Sequence, residues 1–269
     1  ALTRFTGKGD HTFDSSGVAV GLRAMSSAMD KLPPNCRHMS LEAAFSTQPL
    51  LELQQLERLE LSLYFPEWRQ EKLLLHQLSS LNRLTDLQVT MWAEIMITDG
   101  WQKLPSLRGL RVCKGTPATV GDRYCGVGPP ALCKLSQMSA LQSLSMKQVR
   151  FLDTSGCRFA DMFKGLIGLQ SLWLHDCMVE EESSTKLAGF VGAFACLPEL
   201  RDLRLAGLPQ WDEAASAALA AATQLTGLLI VSKGSSNEFA SLVGQVHKLF
   251  GLRSLWMDSF EWALAVFGV

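Results

Sequence analysis

The chain has 269 residues, of which 47% are hydrophobic, and its formal net charge at pH 7 is −1. A charge so close to zero creates no long-range field that would favour nucleic acid or an anionic membrane. The sequence has no apolar run of about 18 residues, so we expect no membrane span. A signal-peptide pattern is also absent from the start of the given sequence.

A six-residue phrase of the form L-x-x-L-x-L, or a conservative version of it, recurs along the chain. Its nine copies are residues 36–41, 56–61, 84–89, 107–112, 141–146, 169–174, 200–205, 225–230 and 252–257. The fourth residue of the first copy is Met39 and that of the last is Leu255, so the mean period is 27 residues. A unit of this length holds one short strand and one helix, and it buries its apolar face only by stacking on its neighbours. Leu2 to Phe5 read as the end of one earlier strand.

The spacers between the phrases carry helical patterns. In chain order, the predicted helices are residues 18–29, 67–80, 183–196, 212–222 and 237–250. The last has apolar residues at helical spacing, and Ser235 and Glu238 stand at capping-box distance, while Asp212 is positioned to cap the helix before it. Residues 99–104 permit one turn at most. Residues 114–130 read as a Gly/Pro-rich insertion, either a solvated loop or an extra binding finger.

This pattern resembles leucine-rich repeat proteins, and the resemblance covers about residues 33–269. It implies one α/β solenoid domain over residues 1–269, with about nine repeats, a parallel sheet on the concave face and helices on the convex face. The family usually carries Asn or Cys shortly after the phrase, where it satisfies backbone groups. Cys177 stands there in one repeat, but Val149, Leu208 and Phe260 replace it in others. The chain is therefore most similar to the long, helix-bearing types, either ribonuclease-inhibitor-like or F-box-associated.

Within each phrase the leucines point into the core, and the residues between them face the opposite side of the sheet. The residues between the last two leucines are Ser40, Glu60, Gln88, Arg111, Ser145, Trp173, Arg204, Leu229 and Trp256. The first five are ordinary polar residues, whereas the last four include Trp and Arg, which dominate binding hot spots. His175 stands two residues after Trp173 and therefore on the same face of its strand, so the sequence predicts a partner-binding site of Trp173, His175, Arg204, Leu229 and Trp256. The alternative is that neighbouring side chains or a C-terminal segment cover these residues.

The residues that bear reactive groups do not form a recognisable catalytic or metal-binding set. The seven cysteines lack C-x-x-C pairing, so we expect no metal or other cofactor, and we interpret Cys36, Cys177 and Cys196 as small apolar fillers. Unpaired cysteines favour a reducing compartment such as the cytoplasm. His175-Asp176-Cys177 is the only candidate trio, but alternation directs His175 and Cys177 to different sides. The Gly-rich segment within residues 115–130 lacks the order that cradles phosphate.

We therefore predict a non-enzymatic interaction module or scaffold that binds a protein or peptide through its concave sheet face. One alternative is a substrate-receptor subunit of a ubiquitin ligase, although residues 1–32 are too short and too rich in Gly and Ser for an F-box segment. Another is a structural subunit of a large assembly. The apolar residues 260–269 are either a closing helix or a break inside a longer array.

Overall fold

The leucine phrases form parallel strands in the computed structural model of the protein. The structure describes residues 4–7, 37–42, 54–63, 78–91, 104–114, 125–127, 135–151, 161, 163–179, 185–208, 211–232 and 238–259. The strands in these ranges are β1 (Arg4–Gly7), β2 (His38–Glu42), β3 (Arg58–Leu63), β4 (Asp86–Met91), β5 (Gly109–Lys114), β6 (Cys125–Val127), β7 (Ser143–Lys147), β8 (Val149–Phe151), β9 (Ser171–His175), β10 (Met178–Val179), β11 (Asp202–Leu208), β12 (Gly227–Ser232) and β13 (Ser254–Ser259).

Ten of these strands form one parallel sheet in the order β1-β2-β3-β4-β5-β7-β9-β11-β12-β13. Its register places the fourth residues of all nine phrases side by side, from Met39 beside Leu59 to Leu228 beside Leu255. The predicted α/β leucine-rich repeat solenoid is thereby confirmed. The strand expected upstream is also present, because β1 pairs with β2. The larger sheet thus has ten strands, one more than the nine phrases.

The buried side of this sheet is a continuous aliphatic column. Leu59, Leu144, Leu172 and Leu203 are each fully buried, because the coils before and after them cover both flanks. Burial of one such side chain stabilises the folded state by about 1.5–3 kcal/mol relative to exposure. The hydrophobic effect along this column therefore holds the coils together.

Four phenylalanines fill the wider space behind the middle of the sheet. The Phe190 ring centroid lies 4.9 Å from that of Phe151, 5.9 Å from that of Phe163 and 5.4 Å from that of Phe194. The tilted and edge-to-face arrangements are those that aromatic quadrupoles favour. Phe151 and Phe163 belong to the connection between β7 and β9, and Phe190 and Phe194 belong to the next one, so the rings join two successive repeats.

The helices whose bounds the structure describes are α1 (Thr185–Gly192), α2 (Glu213–Leu219) and α3 (Glu238–Val246). They confirm the helices predicted within residues 183–196, 212–222 and 237–250. A 3-10 turn, Ala193–Cys196, continues α1. As predicted, Asp212 caps α2: its Oδ1 accepts a hydrogen bond from the Ala215 N–H at 2.7 Å. None of the described helices has the length and apolar character needed to span a bilayer. The helix predicted at 18–29, most of that at 67–80, and the capping residue Ser235 lie outside the described residues.

A second, smaller sheet was not foreseen. It contains β6, β8 and β10, which pair in parallel in the order β10-β8-β6. The strand β6 lies within residues 114–130, the segment predicted to be a Gly/Pro-rich insertion, and it pairs with β8. Short strands of two or three residues leave too little periodicity to be recognised from sequence.

Three successive repeats each contain a left-handed residue: it follows β7 and β9, and in the third repeat it lies within β11, at the bulge between Ala206 and Leu208. Gln148, Asp176 and Gly207 have φ values of 57°, 51° and 72°. At Gln148 and Asp176 the backbone N–H then donates to the next repeat, to the His175 and Ala206 carbonyls, at 2.8 and 2.7 Å. This conformation is uncommon outside glycine. At Gln148 and Asp176 it turns the chain out of the larger sheet and into the smaller one, whereas at Gly207 the strand β11 continues to Leu208, which still pairs with Ser232.

Candidate functional site

The predicted site residues lie on the open face of the larger sheet, the face opposite its leucine column. Trp173, Arg204, Leu229 and Trp256 come from the consecutive strands β9, β11, β12 and β13, and the register places each directly beside the next. Parallel strands are about 4.8 Å apart, so these four residues, here called the aromatic row, extend over roughly 14 Å. The exposed fraction is 39% for Trp173 and 62% for Trp256, whereas Leu229 is half-buried.

Arg204 is held in place within the aromatic row. Its Nη2 and Nε lie 2.9 and 3.0 Å from Asp202 Oδ2, and its Cζ lies 6.0 Å from the centroid of the Trp173 ring. A guanidinium fixed in this way has already lost side-chain entropy, so a ligand need not order it. Asp202 was absent from the predicted set, although it stands two residues before Arg204 and therefore on the same face of the strand.

His175 extends the aromatic row along β9. Its ring centroid lies 6.3 Å from that of Trp173, with an interplanar angle of 69°. The His175 Nδ1 is 3.7 Å from Asp176 Oδ2, and the side chain is 37% exposed. The structure thus brings all five predicted residues onto neighbouring strands of one face. Whether they bind a partner stays a prediction.

Cys177 has a structural position. The Cys177 thiol donates to the Met146 carbonyl at 3.4 Å and lies 3.6 Å from the His175 carbonyl oxygen. Burial raises the pKa of the Cys177 thiol to about 12. The sulfur is therefore protonated and directed at backbone carbonyls, which is the turn-satisfying role that the resemblance implied and is unsuited to nucleophilic attack.

Cys36 and Cys196 were predicted, like Cys177, to be small apolar fillers of the core. Cys196 is exposed, so its interpretation as an apolar filler was wrong. It is the last residue of the 3-10 turn that follows α1, and Ala193 and Phe194 are the buried residues of that turn. Cys36 lies outside the described residues. Within the described part of the chain, no three His, Cys, Asp or Glu residues are grouped closely enough to hold a metal ion.

A polar depression of about 170 Å³ lies on the open face, at the strands β3, β4, β5 and β7. The exposed positions of these strands are the ordinary polar residues noted in the sequence. Its floor is low because β5 presents Gly109 and β7 presents Ser143 and Ser145, where β3 and β4 present longer polar side chains. Arginine, glutamate and aspartate stand around this floor. The lining residues are Arg58, Glu60, Asp86, Leu87, Gln88, Gly109, Leu110, Arg111, Ser143 and Ser145. Gly109, Ser143 and Ser145 are adjacent only after the strands are aligned, so the register is the signal that reveals the depression.

Several solved structures are similar to this chain. A leucine-rich repeat protein of Leptospira interrogans has a TM-score of 0.50 at 14% identity, over 86% of this chain and 57% of that one. The TLR13–ssRNA13 complex gives a TM-score of 0.46 at 17% identity, over 86% and 34% of the two chains. The plant peptide hormone receptor RGFR1 in complex with RGF2 gives 0.40 at 14%, over 84% and 40%. The chain thus spans less than two thirds of each of these three proteins.

At these identities the likeness concerns the fold alone. The strand register and the Leptospira structure together establish the leucine-rich repeat fold. No protein-family description and no curated protein matches the sequence.

Proposed function

We propose that this protein is a non-enzymatic interaction module that binds a protein partner through the aromatic row. The observation that carries the proposal is the presence of Trp173, Arg204, Leu229 and Trp256 on four adjacent strands of one exposed face. Tryptophan and arginine contribute most of the free energy of binding at measured interfaces. An exposed apolar patch bordered by polar residues is also a common mark of an interface.

The partner surface expected for the aromatic row is an apolar or aromatic side chain with polar groups beside it. Leu229 is half-buried between strands that present Arg204 and Trp256, so it forms a lower position between taller neighbours. An aliphatic or aromatic side chain of the partner fits above Leu229. Because Asp202 already pairs with Arg204, the guanidinium favours a neutral carbonyl acceptor over a second carboxylate.

A second candidate function is a structural subunit of a larger assembly. The observation that favours it is the apolar surface around the last described repeat, where Phe250 is 87% exposed, Trp256 62% and Leu255 40%. We also place the protein in a reducing compartment such as the cytoplasm. The free thiols Cys113, Cys177 and Cys196 support this location.

The test is the double substitution Trp173→Ala and Arg204→Ala. We expect the dissociation constant for the partner to rise by about thirty-fold or more, because truncation of one hot-spot residue costs at least about 2 kcal/mol. The partner is first identified by crosslinking and mass spectrometry with the unmodified chain. Its affinity for both forms is then measured by calorimetry.

The matched control is Val243→Ala, which also truncates an exposed apolar residue but lies on α3, away from the open face. Val243→Ala should leave the affinity unchanged. The double variant should retain the midpoint of thermal unfolding to within a few degrees, because its side chains are partly exposed. Unchanged affinity in a folded double variant would reject the aromatic row as the interface.

A further inference from the structure

The polar depression on β3, β4, β5 and β7 contains no residue of the aromatic row. Its volume of about 170 Å³ is roughly ten times what a single water molecule needs. It is therefore large enough for an uncharged polar group of a ligand together with the atoms attached to it. Its lining decides which group that is.

Asp86 provides the acceptor. Its Oδ2 accepts a hydrogen bond from the Thr85 hydroxyl at 3.0 Å, and that hydroxyl also lies 3.2 Å from the Glu57 carbonyl oxygen, with which its single proton is shared. Its Oδ1 lies over the neighbouring strand, where a Cβ on Gly109 would be only 2.5 Å away. No described residue donates a hydrogen bond to Oδ1. Gly109 thus leaves the space into which this oxygen projects.

Arg111 provides the donor. It lies on β5, next to β4, and its Nη1 donates to Gln88 Oε1 at 3.1 Å. A guanidinium carries five N–H groups, so this bond orients Arg111 and leaves further donors for a ligand. Asp86 and Arg111 therefore present an acceptor and a donor on adjacent strands, each held by a different neighbour.

The charges around the depression cancel. Arg58 and Arg111 are opposed by Glu60 and Asp86, so neither a cation nor an anion gains a net attraction. A group that satisfies Asp86 and Arg111 together must donate one hydrogen bond and accept another without carrying charge. The amide group does this: its N–H meets the carboxylate and its C=O meets the guanidinium.

We propose that this depression binds amide groups of an extended peptide lying on the open face. The aromatic row contains a comparable pair, in which a Cβ on Gly227 would lie 3.2 Å from Asp202 Oδ1. There Arg204, on the same strand as Asp202, is hydrogen-bonded to the Asp202 carboxylate, so this donor and this acceptor satisfy each other. In the depression, by contrast, Asp86 and Arg111 form no ion pair with each other. The proposal stands on Asp86 and Arg111 and does not require that the aromatic row bind anything.

The test is an NMR titration of the full chain with acetyl-triglycine-amide, a peptide that has amide groups and no side chains or net charge. We expect saturable shifts of the Gly109, Ser143 and Ser145 backbone amides. Sodium acetate and methylammonium chloride, which carry only one charge each, should produce no saturable shift there. Loss of a charged hydrogen-bond partner should make Asp86→Asn bind the peptide about tenfold more weakly.

Asp202→Asn is the matched control and should leave the dissociation constant of the peptide unchanged. If Asp86→Asn fails to fold, Arg111→Gln, which removes the donor charge, should weaken binding to a similar extent. Absence of saturable shifts in the unmodified chain would overturn the proposal. Equal binding of acetate or methylammonium would also overturn it, because the depression would then be a site for simple ions.

Discussion

Replacement of Leu203 by alanine is expected to lower the free energy of unfolding by about 2–5 kcal/mol. Leu203 is fully buried, and its strand β11 lies between β9 and β12. The truncation leaves a cavity that strands paired on both sides cannot close. Urea unfolding followed by circular dichroism measures this loss directly.

Leu255 is the matched control for Leu203, because it occupies the fourth position of its own phrase and the same register. Its exposed fraction is 40%, so less apolar area returns to water when it is truncated. Leu255→Ala should cost at most about half as much as Leu203→Ala. Equal losses for the two substitutions would mean that coverage by adjacent coils does not determine the stability of the leucine column.

The second large effect is expected at Gly165. A Cβ at this position would overlap the carbonyl oxygen of Ser136, a residue of the preceding repeat. Because the obstacle is backbone, it cannot move aside by changing a rotamer. Gly165→Ala should therefore push two consecutive turns apart and destabilise the fold by about 1–3 kcal/mol. The decrease in urea midpoint, with an unchanged slope, reports this effect.

Gly189→Ala provides the comparison for Gly165→Ala. Gly189 is an exposed residue of α1, and a Cβ there would meet no atom within 4 Å. Alanine is the better helix former, so this substitution should stabilise the protein by about 0.5–1 kcal/mol. No effect of Gly165→Ala would contradict the close approach of the turns, and destabilisation by Gly189→Ala would contradict the open space beside α1.

The spacing of the leucine phrases was sufficient to predict the larger sheet, because buried leucines at fixed positions permit only one alignment of parallel strands. The same alternation is enough to assign Trp173, Arg204 and Trp256 to the open face. The Asp212 cap was equally predictable, since a carboxylate before an Ala-rich helix has a defined partner in the first turn.

Features that depend on the meeting of distant segments were not predictable. The pairing of β6 with β8 joins short stretches without a periodic pattern. The exposure of Cys196 depends on which residue of a 3-10 turn faces the core. The depression requires Asp86, Gly109 and Arg111 to come together from two strands, and each of these residues is ordinary when taken alone. Such features follow from three-dimensional packing, which sequence propensity does not encode residue by residue.

The proposed interface is tested most directly by photo-crosslinking from two positions of the intact chain. A benzoylphenylalanine at Ser254, an exposed residue of β13 two positions before Trp256, samples the aromatic row. The same group at Val243 on α3 samples the helical side. We predict that Ser254 yields a crosslink to a specific protein, that Trp173→Ala abolishes it, and that Val243 yields none. A crosslink of equal strength from Val243, or one from Ser254 that survives Trp173→Ala, would contradict binding through the aromatic row.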